Sequence, residues 1–117
     1  MANETQLLLS LAYIALMLLL GLIFRKFPPK KINSLYGYRT KRSMANQATW
    51  RAANGYWTRV YLKSHLYLLA LPPVLYFVYP EFNVLVTVIV HSVVLLLMIP
   101  ATERYLRQKF NAQGGPK

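Results

Sequence analysis

The apolar residues of this chain follow neither a helical nor a strand period. They gather into three long blocks with the basic residues between them. Leu7 to Phe24 carries no charge, and at ~1.5 Å per residue it reaches about 27 Å, close to the hydrocarbon thickness of a bilayer. Arg25, Lys26, Lys30 and Lys31 follow this block and no Lys or Arg precedes it, so it reads as a retained anchor rather than a secretory leader. Phe82 to Ile99 is equally long, interrupted only by Asn83, Thr87, His91 and Ser92. Between them, Tyr56 to Tyr79 can also span, although Arg59, Lys63 and His65 occupy its first turns and Pro72-Pro73 lies inside it. Lys and Arg near a helix end extend their charged heads to the interface along their aliphatic stems. The prolines kink the helix and free the carbonyls near Leu68 and Leu69, which membrane helices tolerate when neighbours cover them.

The expected fold is an all-α membrane protein of one domain. Three transmembrane helices are placed at about 7–24, 56–79 and 82–99, with a structured loop at about 25–55 and a tail at 100–117. The connection at Pro80-Glu81 is so short that the last two spans form an antiparallel hairpin. Lys and Arg fall in the loop, the first turns of the second span and the tail, and none falls before Leu7 or in the hairpin. The positive-inside rule therefore puts the loop and tail in the cytoplasm and the N-terminus outside the cell (plasma) membrane.

Composition narrows the function classes. Lys and Arg number 14 against three acids, a net charge of +11. Topology and attraction to anionic membrane lipids account for most of that excess. Nothing in the chain resembles a nucleic-acid recognition fold, so direct nucleic-acid binding is not expected. With no cysteine, no Asp, no paired carboxylates and no His pair at metal spacing, the chain is not expected to be an enzyme or to hold a metal or cofactor.

The loop is no simple basic linker. From Lys30 to Trp57 it mixes aromatics, amides and single arginines, with Gly37 between two tyrosines where a turn needs positive φ or close backbone approach. Ser43 is the expected N-cap of a short interfacial helix over 44–56 that leads toward the second span. On it Asn46, Trp50, Asn54 and Trp57 fall on one side, and Arg51 lines another side with Arg59.

The run Asn33-Ser-Leu-Tyr-Gly-Tyr-Arg-Thr, followed by Trp50-Arg-Ala-Ala-Asn, resembles the signature of the SdpI family of bacterial membrane proteins. Pro100, Thr102-Glu103, Leu106 and Phe110 resemble the family's ending after its last helix. The resemblance implies toxin immunity or membrane-stress signalling through a bound partner. That partner would be a peptide toxin on the outer hairpin or a cytoplasmic repressor-like protein on the loop. It marks Asn33, Tyr36, Gly37, Arg39, Thr40, Trp50 and Asn54 as candidate ligand or partner residues. A small structural or accessory subunit, for which homo-oligomerisation is open, and a transporter or channel component are the competing classes.

Single residues carry two readings each. Arg39 can face a phosphate or carboxylate, or can bond helix-end carbonyls or Glu103. Glu103 is expected in a structural ion pair. Trp50, Trp57, Tyr56 and Tyr61 fit an interfacial aromatic belt, and Trp50 with Arg51 can also form a ligand platform. His91, with Thr87, is polar at mid-membrane depth, where an ionisable group suggests function; packing, with Thr87 and Ser92 as bonding partners, is the competing expectation. His65 is expected near the inner interface, with less weight.

Overall fold

The computed structural model describes residues 1–117, and the fold is helical throughout, closing with an isolated bridge between Phe110 and Pro116. Helix α1 spans Asn3–Lys26, α2 Gln47–Leu68, α3 Leu71–Val78 and α4 Asn83–Lys109, with a 3-10 turn at Pro80–Phe82. Each of α1, α2 and α4 packs on the other two, in a molecule 53 × 24 × 19 Å in extent. Two stretches are long and apolar enough to cross a membrane, Asn3–Lys26 and Pro80–Lys109, in which an 18-residue segment reaches a mean hydropathy of 2.7 and 2.6 respectively. Only 17% of each such segment is buried within the protein, whereas the core helix of a soluble protein would be mostly covered.

The middle block departs from expectation in two ways. The interfacial helix over 44–56 is not separate: α2 runs unbroken for 22 residues from the loop into the apolar segment. Its N-cap is Asn46, whose Oδ1 accepts from Thr49 N while Thr49 Oγ1 accepts from Asn46 N, a reciprocal capping box. Ser43 was the expected cap, but its hydroxyl is engaged in the turn before the helix, where it accepts from Thr40 N.

The other departure is that Tyr56 to Tyr79 is not one helix. It breaks at Leu69–Ala70 because Pro72 and Pro73 have no N–H for the carbonyls of Leu68 and Leu69. α3 then starts with proline in its first turn, where the missing donor costs nothing.

Side chains hold the two ends. At the hairpin end, Gln6 donates to Glu81 O at 3.1 Å and accepts from Val84 N at 2.9 Å, joining α1 to the start of α4. Asn83 donates to Pro72 O at 2.9 Å, and Thr87 donates to Asn83 Oδ1 at 3.2 Å. Thr87 therefore serves this cluster rather than His91, and Ser92 turns back to Val88 O.

Midway along, α1 meets α2 at Gly21, where a Cβ would lie 2.6 Å from the Tyr61 ring and 2.9 Å from Leu62 Cδ2. Small residues let membrane helices approach this closely. Gly21→Val should destabilise the protein by about 2 kcal/mol through overpacking, read by unfolding in detergent micelles. An unchanged unfolding midpoint would mean that the α1–α2 seam is not a close contact.

Candidate functional site

The signature segment folds into a cap over the C-terminal end of α1, the start of α2 and the end of α4. Asn33 nucleates it: Oδ1 accepts from Leu35 N at 3.0 Å and Tyr36 N at 2.6 Å, an Asx turn. Tyr36 stacks on Phe24, with ring centroids 4.9 Å apart, and donates its hydroxyl to Phe27 O. Gly37 adopts φ 110°, and a Cβ there would fall 2.7 Å from Asn54 Oδ1 and 2.8 Å from Pro29 Cγ. Only glycine meets both demands.

Asn54, buried on α2, accepts from Tyr38 N at 2.6 Å and donates to Trp50 O at 3.0 Å. One α2 side chain thus holds the loop's backbone in register. Trp50 is fully buried and donates its indole N–H to Pro29 O at 2.5 Å. It is neither an interfacial belt residue nor a ligand platform with Arg51.

The end of α4 completes the cap. Glu103 accepts from the Tyr38 hydroxyl at 2.6 Å and from Thr40 Oγ1 at 3.0 Å. The expected ion pair is absent, because two hydroxyls supply the bonds a cation would have made. Arg39 reaches Ser34 O instead. Burial pushes the Tyr38 phenol above its ordinary range, and the Glu103 carboxylate adds to this as bond acceptor and as a nearby negative charge. Tyr38 thus stays a donor at neutral pH. Ser43 donates to Tyr38 O at 3.0 Å, and Asn46 Nδ2 donates to Gly114 O at 2.8 Å, so the tail is tied to the same cap. Beneath these bonds Tyr38, Ala53 and Leu106 form a small apolar core flanked by Trp57 and Phe110.

Of the signature residues, Trp50 and Asn54 are buried, Asn33, Tyr36, Gly37 and Thr40 are half-buried within the cap, and Arg39 is exposed. Leu35, at the tip of the turn, is 90% exposed.

A second polar group lies among the helices. His91 sits opposite His65, with the two Nε2 atoms 2.8 Å apart. His65 Nδ1 is 2.7 Å from Tyr61 O, and His91 Nδ1 is 2.7 Å from the Tyr13 hydroxyl. The Tyr61 hydroxyl in turn donates to Met17 O at 2.6 Å. His65 is fully buried here, against the ring expected at mid-membrane depth.

The partners dictate the protons. A carbonyl only accepts, so His65 Nδ1 carries a hydrogen and its Nε2 is bare when the ring is neutral. His91 Nε2–H fills that acceptor, and Tyr13 O–H fills His91 Nδ1. One extra proton fits if Tyr13 turns to accept; a second would set two N–H groups against each other. The line thus ties α1, α2 and α4 together, with bond directions that leave room for one extra proton and not for two. Neither Tyr13 nor the pairing of His65 with His91 is foreseen from the sequence, although a rule was at hand: the few polar groups within apolar helices seek one another.

No solved structure matches the chain. A stretch of 41 residues is 56% identical to the uncharacterized protein YfhL of Bacillus subtilis (strain 168), covering 35% of this chain and 37% of that protein. The chain therefore aligns with little more than a third of that relative's length. Residues 30–101, from the cap through the hairpin to the end of the apolar part of α4, match the SdpI/YfhL family. With two barely buried apolar helices and a match over most of its length, the chain is a membrane protein that belongs to the SdpI/YfhL protein family.

Proposed function

We propose that this protein crosses the inner membrane three times and acts in toxin immunity or membrane-stress signalling, with its cytoplasmic cap as the docking surface for a partner protein. The third crossing is the broken pair α2–α3, and the positive-inside rule places the cap and tail inside and the N-terminus outside. The observation that carries the reading is the tip of the cap. A basic linker would be free to bury its apolar residues, whereas here the Asx turn holds Leu35 at 90% exposure. Arg39 is exposed nearby and pinned to Ser34 O, and Lys41 is exposed beside it. An exposed apolar side chain with exposed cations close by in the same loop suits an acidic, partly apolar partner surface.

α2 also gives the cap a mechanical link to the membrane. Trp50 and Asn54 in the cap and His65 among the apolar helices lie on one continuous helix. A peptide disturbing the helices would therefore be felt at the docking surface.

In the native host, deletion of the gene should raise sensitivity to membrane-acting peptides, and the wild-type gene should restore resistance. Leu35→Asp combined with Arg39→Ala should fail to restore it at equal membrane abundance. Unchanged sensitivity of the deletion strain to peptide toxins and envelope stress would end the proposal. Full rescue by the double variant would remove the cap tip from it.

A further inference from the structure

Arg51, Gly55 and Arg59 recur every fourth residue along one side of α2. Facing them are Arg25, in the last turn of α1, and Lys30 just beyond it. Together they line an open groove of about 830 Å³. Phe24 and Leu62 continue the same wall one step deeper into their helices, so the lining passes from cationic to apolar along the groove. No carboxylate lines it, and all four cations are exposed.

Gly55 keeps the groove open. Unlike Gly21, it is not required by packing: a Cβ there would meet only the Arg59 guanidinium, at 3.5 Å. Glycine weakens a helix interior, so a glycine with room for a side chain points to space kept for something else.

We propose that this groove binds the phosphate of an anionic phospholipid headgroup. Arg51 and Arg59 hold the phosphate oxygens through forked guanidinium bonds, and Arg25 and Lys30 close the positive wall. Four cations gathered without an acid repel one another until an anion joins them. A lipid fits better than a soluble phosphate because the site lies where the apolar run of α1 ends. Leu20 and Ile23 are exposed on the same helix, as a surface for acyl chains. The site is independent of the docking role of the cap tip and needs only that α1 lie in a membrane.

The test is native mass spectrometry of the full-length protein in detergent, with added phosphatidylglycerol or phosphatidylcholine of the same chains. Phosphatidylglycerol should be retained preferentially. Arg51→Gln with Arg59→Gln should lower that retention about tenfold, while Arg107→Gln with Lys109→Gln, the same charge loss on α4, should change it less than about twofold. Gly55→Leu, which keeps every charge but fills the floor, should act like the first pair. The arginine variants touch only exposed side chains, so they carry the test even if Gly55→Leu fails to fold. Equal losses from the two charge-matched pairs would reduce the groove to general surface attraction and overturn the proposal. Displacement of the lipid by an equal concentration of inorganic phosphate would also overturn it, in favour of a soluble ligand.

Discussion

Trp50→Ala is expected to destabilise the protein by about 4 kcal/mol and to loosen the whole cap. The side chain is fully buried, and its indole N–H is bonded to Pro29 O, the residue against which Gly37 also packs. Truncation removes the packing of the largest fully buried side chain and leaves the Pro29 carbonyl without its donor. Trp50→Phe separates the two effects: it keeps most of the ring but loses the bond, at a cost of about 1–2 kcal/mol.

Unfolding in detergent micelles measures the loss, and limited trypsin digestion locates it. The Arg39, Lys41 and Arg42 peptide bonds should become cleavable in Trp50→Ala while α1 and α4 remain intact. If digestion and unfolding midpoint match the wild type, the cap does not rest on Trp50.

His91→Leu is expected to cost about 2 kcal/mol. It deprives two partners at once, the half-buried Tyr13 hydroxyl and the buried His65 Nε2, and bonds between membrane helices contribute about 0.6 kcal/mol on average and up to ~1.7. A double-mutant cycle with His65→Leu should return a coupling of about 1 kcal/mol, since the second substitution removes a partner already orphaned. Additive losses would mean that the two rings do not meet.

The nitrogen resonances of the two histidines give a readout that packing alone would not move. In the neutral protein His65 should be the Nδ1–H tautomer and His91 the Nε2–H tautomer. Finding both rings in the same tautomer would break the proton order deduced from the Tyr61 carbonyl.

The sequence made several parts of this molecule legible. The two uncharged blocks become α1 and α4, because a long apolar run must satisfy its backbone internally. The signature spacing identified the family, and the fourfold spacing of Trp50 and Asn54 put both on the face of α2 that the loop covers. Where local chemistry offered two solutions the reading failed. Ser43 and Asn46 are both good caps, and the choice of Asn46 depends on Thr49 standing three residues on and on Ser43 being claimed by Thr40 and Tyr38. As the one acid on the basic face Glu103 predicts a cationic partner, yet in space two hydroxyls reach it first.

The sequence by itself determined the apolar helices, the family and the residue types of the cap, since these rest on composition and on spacing along one chain. Tertiary structure alone decided which polar groups meet. Counted along straight antiparallel helices from Glu81, His65 and His91 would stand about 9 Å apart in height. The break at Leu69–Ala70 before Pro72-Pro73 changes the path of the chain, and the two rings come to 2.8 Å. The sequence shows that such a break is needed, but its effect on the path depends on the packing of α3 against α1 and α4.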